Sequence, residues 1–204
     1  IVDVVRELGG KPFVTDCNTL YVGGRKNGLD HLDSAYANGF NPFQLGCHTI
    51  IADGIKGLDE VEVPVEGGEY VQNAKIGRAL MDADIVISLT HFKGHEGAGF
   101  GGCMKNIGMG CGSRAGKMEQ HALANGKVRD VHVASLDHDR CVGCGRCIAQ
   151  CNQDAIKPDY DAAAEVLNYK IAEYTKAIVD GRPCFHVSLA IEVSPNCDCH
   201  DEND

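Results

Sequence analysis

The sequence predicts an α/β fold in which a mostly parallel sheet is flanked by helices and a small cysteine-rich module is inserted late in the chain. Segments with helical spacing and strand-like segments alternate along residues 1–89. The apolar run at 84–89 hardly alternates with polar residues, which is typical of a parallel strand buried on both faces. Four of the 11 cysteines crowd into residues 141–151, and this sets that segment apart.

The individual elements are predicted from apolar spacing and from the polar or glycine residues at their ends. Apolar residues at helical spacing over 1–8 precede a Gly-Gly pair, and a polar cap precedes the helical pattern that starts at 27. The segment 61–65 alternates valine with glutamate and proline, as an edge strand does. In chain order, we expect a helix over 1–8, a strand over 12–15, a helix over 27–37, strands over 49–52 and 61–65, a helix over 70–81 and a strand over 84–89.

The second half of the chain is more irregular. Periodicity is lost over 90–117, where nine glycines lie between Gly94 and Gly116, so this stretch is predicted as a long functional loop. After it we expect a strand over 131–136, a cysteine-rich insert over 137–157, a helix over 162–179 and a strand over 185–193. The predicted organisation is an α/β domain over 1–136, a module over 137–158 and a return to the α/β domain over 159–204. Because the chain starts inside an amphipathic segment and stops without a closing element, we expect both ends to be cuts in a longer chain.

Composition limits the classes of function. The 204 residues carry a formal net charge of -10 and no long Lys/Arg run, which argues against nucleic acid or an anionic membrane as the main partner. No apolar stretch is long enough to span a bilayer. Cysteine makes up about one residue in twenty, below the density of small disulfide scaffolds. We therefore expect a reducing, cytoplasmic environment.

The cysteine run has the spacing C-x2-C-x2-C-x3-C of bacterial ferredoxins, formed by Cys141, Cys144, Cys147 and Cys151. Thiols at this spacing can surround one 4Fe-4S cluster, since Gly143 and Gly145 let the loop curl and aim backbone N–H groups at it. Asn152 stands where the pattern prefers proline. The competing interpretations are a disulfide pair, which needs an oxidising compartment, a zinc site, which more often has two separated C-x2-C knuckles, and buried structural cysteines.

The number of clusters stays open. In two-cluster ferredoxins the fourth cysteine of a run serves the other cluster, so Cys151 could join a second, irregular cluster with Cys197 and Cys199. A further thiol would then come from the remaining candidates, which are Cys103, Cys111 and Cys184. Alternatively, the run supplies all four ligands of a single cluster. Cys17 and Cys47 have no ligand-like neighbours and are expected to be small core residues.

The glycine-rich loop concentrates cations in an acidic protein. The candidates for binding an anion or for moving a proton are His91, Lys93, His95, Lys105 and Arg114, and Lys117 adds a further charge. The glycines follow neither the P-loop order nor the dinucleotide fingerprint. A mononuclear metal bound by His91, His95, Glu96 and His121 is an alternative. In another alternative the glycines only pack closely and the cations balance nearby acids.

A second polar loop, at 15–25, follows the first predicted strand. Ligands of open α/β sheets bind outside the carboxyl ends of the strands, so this loop and the loop after Leu89 could face one crevice. Asp16, Asn18, Tyr21 and Arg25 would then contact the same ligand. The alternative is a turn-rich loop whose polar side chains satisfy their own backbone.

Several segments together resemble the domain of unknown function 362 family, whose members are often labelled iron-sulfur centre proteins. They are TDCNTLYVGGR at 15–25, GLDHLDSAYANGF at 28–40, IIADG at 50–54, HFKGHEGAGFGGCMKNIGMGCGSRAGK at 91–117, the cysteine run, and VSPNCDCHDEND at 193–204. The resemblance implies cluster binding, mainly in anaerobic bacteria and archaea, without a settled reaction. Many similar proteins carry a second full cysteine run, which this sequence lacks, and continue beyond the position of Asp204.

These features lead us to expect a 4Fe-4S protein with a ferredoxin-like module that exchanges electrons with a redox partner protein. The alternative is an oxidoreductase or isomerase acting on a small anion held by the loop 91–117. A third interpretation, a carrier of clusters, requires a labile and transferable cluster.

Overall fold

The computed structural model describes residues 1–20, 23–95, 97–121, 147 and 164–195. The helices in this part of the chain are α1 (Val2–Glu7), α2 (Gly28–Ala37), α3 (Pro42–Leu45), α4 (Arg78–Met81), α5 (Cys103–Gly110), α6 (Arg114–His121) and α7 (Ala164–Val179). The strands are β1 (Phe13–Asp16), β2 (His48–Ile51), β3 (Glu60–Pro64), β4 (Asn73–Gly77), β5 (Val86–His91), β6 (Lys93–His95), β7 (Gly99–Gly101) and β8 (Cys184–Leu189). None of the helices described has the length and apolarity needed to cross a bilayer.

The fold is mixed α/β, as predicted, but parallel pairing does not dominate among the described strands. β1 pairs with β2 in parallel and β5 pairs with β8 in parallel. β3 with β4, and β6 with β7, are antiparallel. The expectation of a mostly parallel sheet is therefore wrong for the described residues, because two of the four pairs join strands that follow each other closely in the chain and fold back as hairpins.

The predicted elements up to residue 65 are confirmed within a residue or two. α2 begins where the sequence indicated, because the side chain of Asn27 accepts hydrogen bonds from the backbone N–H groups of Leu29 and Asp30, both at 3.1 Å. Gly28 brings this helix close to the turn after β2, since a β-carbon at Gly28 would lie 2.9 Å from the Cα of Ile55. This close approach places α2 over the carboxyl ends of β1 and β2.

The helix predicted over 70–81 is wrong. The segment forms β4 followed by the single turn α4, and Ala74 and Ile76 of β4 are completely buried against β3. The carboxylate of Glu173 on α7 accepts hydrogen bonds from the backbone N–H groups of residues 69, 70 and 71. These bonds fix the residues before β4 in a conformation that is not helical. Long-range pairing and this carboxylate outweigh the local apolar spacing.

The prediction of a strand near 84–89 is confirmed, but its burial on both faces is not. Along β5, Val86, Ser88 and Thr90 are buried whereas Ile87 and Leu89 are exposed. The two buried hydroxyl groups form a hydrogen bond with each other, with 2.9 Å between the Oγ of Ser88 and the Oγ1 of Thr90. β5 therefore has one buried face that contains polar groups.

The irregular loop predicted over 90–117 is also wrong. The hairpin β6–β7 and the helices α5 and α6 occupy this stretch. Gly108 permits α5 to lie directly against α7, because a β-carbon there would overlap the carbonyl oxygen of Ile171. The glycines, which hide the periodicity in the sequence, are what let these helices pack.

The core lies between α7, α5 and the β3–β4 pair. Its fully buried members include Ile76, Tyr174 and Ile178. The helix predicted over 162–179 is confirmed as α7, and the strand predicted over 185–193 is confirmed as β8 with an earlier end. The strand predicted over 131–136 and the insert over 137–157 lie outside the described residues apart from residue 147, so the domain organisation stays a prediction.

Candidate functional site

The ends of β1 and β2 bring polar residues together. The two strands are parallel, with Asp16 opposite Ile51, so their carboxyl ends lie at the same edge. Asn18 and Asp53 follow these ends, and both side chains are completely buried. Oδ1 of Asp53 accepts the backbone N–H of Asn18 at 2.9 Å and its Nδ2 at 2.8 Å. These bonds join the two strand ends into one rigid polar edge, which we call the β1–β2 edge.

Helix α6 places a buried arginine against this edge. Its start is capped by Ser113, whose Oγ accepts the N–H of Gly116 at 3.1 Å. The next residue, Arg114, donates its backbone N–H to the carbonyl of Gly57 at 3.3 Å. The Arg114 side chain is only 5% exposed. A guanidinium is therefore held in a water-poor place beside the turn that follows β2.

Gly57 lies against both Arg114 and Asp53. Its φ of 71° is in the left-handed region, and a β-carbon there would overlap Cδ of Arg114 and lie 3.2 Å from Oδ2 of Asp53. Glycine at this position lets the arginine and the carboxylate approach the same point.

Lys117, one turn further along α6, is the second cation. Its Nζ donates to the carbonyl oxygens of Gly110 and Gly112 at 2.8 and 2.7 Å, which satisfies the end of α5. The ammonium is thus committed to backbone oxygens, although its charge still acts on Asp16 and Asp53.

Several buried polar atoms at the edge have no hydrogen-bond partner in the described part of the chain. They are Nε and Nη2 of Arg114, Oδ2 of Asp53, Oδ1 of Asn18 and Nδ1 of His31. Buried polar groups are nearly always paired in native proteins, so this concentration makes the β1–β2 edge a candidate binding site.

The pKa values of the two carboxyl groups at the edge, those of Asp16 and Asp53, are shifted in opposite directions. Partial desolvation opposes ionisation of Asp16, whose side chain is 46% exposed, but the contact with His31, at 3.6 Å between Nε2 and Oδ2, and the charge of Lys117 outweigh it and lower the pKa of Asp16. Burial raises the pKa of Asp53 in spite of Lys117. A pair of carboxyls separated in this way can act as base and acid.

Two thiols lie beside the carboxylates. Cys17 is 1% exposed and its Sγ donates to the carbonyl of Cys111 at 3.3 Å. Burial raises the pKa of Cys17 well above its usual value and that of Cys111 to about 12. Both are protonated at neutral pH and unsuited to act as nucleophiles as they stand.

A different thiol stands at the opposite end of α5. Sγ of Cys103, the first residue of the helix, lies 3.1 Å from Oγ of Ser188. Burial opposes ionisation, but hydrogen bonds with Ser188, Thr90 and Ser88 lower its pKa. Nδ2 of Asn106 donates to the Thr90 hydroxyl at 2.7 Å and orders this group.

The predicted cations of the glycine-rich stretch do not share one site. Arg114 joins the β1–β2 edge, whereas His91 is the last residue of β5 and Lys93 and His95 lie in β6. Nδ1 of His95 accepts the N–H groups of residues 97 and 98 at 3.1 and 2.9 Å, so it holds the hairpin turn. Lys105 is in α5, two residues after Cys103.

The candidate residues of the second polar loop, at 15–25, also fall into different surroundings. Asp16 and Asn18 belong to the edge, as the crevice prediction requires. Arg25 contributes its carbonyl, which accepts the N–H of Thr19 at 2.9 Å, as the turn interpretation predicts. Tyr21 lies outside the described residues.

The predicted metal and cluster ligands lie largely outside the described residues. Cys141, Cys144, Cys151, Cys197 and Cys199 fall there, and so does Glu96 of the mononuclear alternative. Within the described ranges, no group of three or more His, Cys, Asp or Glu side chains is arranged to hold a metal ion.

Among the proposed cluster ligands, Cys147 is described, and it is half-buried and not in a disulfide. A half-buried thiol in a set of four at ferredoxin spacing has the donor chemistry that a 4Fe-4S cluster needs. Cys17 and Cys47 are buried, as predicted for core residues, and none of the described cysteines forms a disulfide.

Sequence reasoning did not single out Asp53 or His31. Asp53 carried a usable signal, because it follows directly on an apolar strand as Asp16 does. His31 lies within a helical pattern, and only the packing of α2 on the turn at 54–55 brings it to the edge.

A family model described as a domain of unknown function (DUF362) matches residues 1–204. No curated protein matches the chain, and no solved structure matches it.

Proposed function

We propose that this chain, which belongs to the DUF362 family, is a 4Fe-4S protein that exchanges electrons with a redox partner protein. The observation that carries the proposal is the ferredoxin spacing of Cys141, Cys144, Cys147 and Cys151. A bound cluster would supply one-electron chemistry, and the residues of the run would hold it. A reducing, cytoplasmic location is part of the proposal, because thiolate ligands must stay reduced.

Substitution of one ligand tests this proposal. In anaerobically purified protein, Cys147→Ser should lower bound iron and acid-labile sulfide strongly relative to the wild type. The matched control is Cys47→Ser, since Cys47 is buried and outside the run, and it should leave both contents unchanged. Equal iron and sulfide in Cys147→Ser and wild type would contradict the proposal.

A second candidate is an oxidoreductase or isomerase acting on a small anion. It is favoured by the β1–β2 edge, where the buried Nε and Nη2 of Arg114 have no partner among the described residues and Asp53 borders the same glycine, Gly57, as Arg114 does. The pKa values of the two carboxyls of the edge, Asp16 and Asp53, are shifted in opposite directions. The proposed site thus uses Arg114 and not the hairpin cations. A thermal-shift screen of small carboxylates and phosphates tests it. Stabilisation by members of one class supports the candidate, and no stabilisation by any of them counts against it.

A further inference from the structure

We propose that the β1–β2 edge binds a small monocarboxylate carrying a hydrogen-bond donor next to the carboxylate, with Arg114 holding the carboxylate and Asp53 the donor. This inference rests on the second candidate function and names its ligand class. It does not depend on the cluster.

The carboxylate assignment follows from which atoms of Arg114 are unpartnered. Nε and Nη2 share one edge of the planar guanidinium, and both are buried without a partner among the described residues. That edge presents two parallel N–H groups, which match the two oxygens of a carboxylate. With the side chain 5% exposed, water replaces these bonds poorly.

The donor assignment follows from Asp53. Its Oδ1 is occupied by Asn18, whereas its Oδ2 has no partner and borders Gly57, as the Arg114 side chain does. Arg114 and Asp53 form no ion pair within 4.0 Å in the described part of the chain, so neither cancels the other directly. A ligand hydroxyl or ammonium can donate to Oδ2 while its carboxylate meets the guanidinium. Oδ1 of Asn18, on the residue that donates to Asp53, is a second buried acceptor without a partner among the described residues.

Charge selects a monocarboxylate over a phosphate. Lys117 already donates to two carbonyl oxygens, so Arg114 is the cation of the edge with unpartnered donors. Hydrogen phosphate spreads its two negative charges over three oxygens, of which the guanidinium edge binds two, so the third charged oxygen would lie near the acceptor oxygens of Asp53 and Asn18 and be repelled. A single carboxylate avoids that repulsion because its remaining polar group is a donor.

Calorimetry on the anaerobically purified full chain tests the assignment with three probes: glycolate, acetate and inorganic phosphate. We expect glycolate to bind most tightly, with a Kd in about the millimolar range for so small a ligand. Acetate lacks the donor and should bind about fivefold or more weakly. Phosphate should bind most weakly. A wild-type protein that prefers phosphate overturns the carboxylate assignment but keeps the anion candidate, whereas one that binds none of the probes at about 50 mM overturns both.

Two variants locate the site. Arg114→Lys keeps the positive charge but removes the two parallel N–H groups of the guanidinium edge, so glycolate should bind about tenfold to a hundredfold more weakly. Lys105→Arg, in the same stretch but in α5, is the control and should bind as the wild type does. Unchanged glycolate affinity in a folded Arg114→Lys protein overturns the assignment. If that variant does not fold, the wild-type order of the three probes decides alone. Iron content measured on each sample separates these outcomes from failure of the cluster proposal.

Discussion

The hairpin β6–β7 and the helix α6 contain the same kinds of residue, glycines among basic side chains, but they use them differently. In the hairpin, the ring of His95 holds its own turn, and the N–H of Gly94 donates to the carbonyl of Ser194 at 2.6 Å. In α6, Arg114 is buried near Asp53, and its Nε and Nη2 have no partner among the described residues. The difference teaches that residue type alone does not identify a binding group, and the burial of Arg114 without partners for two of its nitrogens is why we propose it as one.

Helix α5 connects the hairpin to α6, and the two cysteines at its ends differ in a similar way, in their pKa values. At its start, Cys103 lies among hydroxyls that lower its pKa. After its end, burial raises the pKa of Cys111 to about 12. These differences have three measurable consequences, of which the largest concerns the two thiols.

Cys103 should react with iodoacetamide about a hundredfold faster than Cys111 near pH 8, because the thiolate is the reacting form. Peptide mapping by mass spectrometry after timed labelling measures each cysteine separately. The variant Ser188→Ala removes one hydrogen bond to the Cys103 sulfur and should slow its labelling, while Ser34→Ala, on α2, serves as control. Similar labelling rates for Cys103 and Cys111 would contradict the predicted difference between their pKa values.

Gly116→Ala should destabilise the fold by about 1–3 kcal/mol, since the new β-carbon would overlap the carbonyl of Lys75 and lie 3.0 Å from Cε1 of Tyr174. Gly101→Ala in the hairpin is the matched variant. Its β-carbon would be 3.7 Å from the nearest atoms of Lys93, so we expect a change within about 0.5 kcal/mol. Urea unfolding followed by circular dichroism measures both. Equal losses would mean that α6 is no more tightly packed than the hairpin.

Asp16→Asn should have the smallest effect, and it should depend on pH. The folded-state pKa of Asp16 is lowered, so its carboxylate stabilises the fold above the unfolded pKa of about 3.9, and this contribution is lost as pH falls through the folded pKa. With the side chain 46% exposed, we expect less than about 1 kcal/mol. Unfolding free energies of both proteins between about pH 3 and pH 7 should converge at the acid end. A gap that widens on acidification would reverse the sign.

Local signals in the sequence predicted much of the fold. The cap at Asn27 and the apolar spacing after it identified α2, and the apolar run before His91 identified β5. The segment 70–81 failed because its structure depends on β3 and on Glu173, which lies about a hundred residues away in the chain. Local periodicity contains no information on such partners.

The candidate site was predicted in part for a similar reason. Asp16 and Asn18 follow from the rule that ligands gather at the carboxyl ends of parallel strands. Arg114 was singled out as one of several equivalent cations, and nothing in its neighbourhood in the sequence distinguishes it from Lys93 or His95. Its contact with Gly57 and its burial distinguish it, and both depend on how α6 docks.

Iron and acid-labile sulfide per chain, measured on anaerobically purified wild-type protein together with an EPR spectrum after dithionite reduction, test the central proposal most directly. About four irons with one paramagnetic centre is the result expected for a single cluster in the run, and about eight with two interacting centres would add the irregular cluster that uses Cys197 and Cys199. Protein that holds no labile sulfide, or that holds zinc in place of iron, would contradict the account.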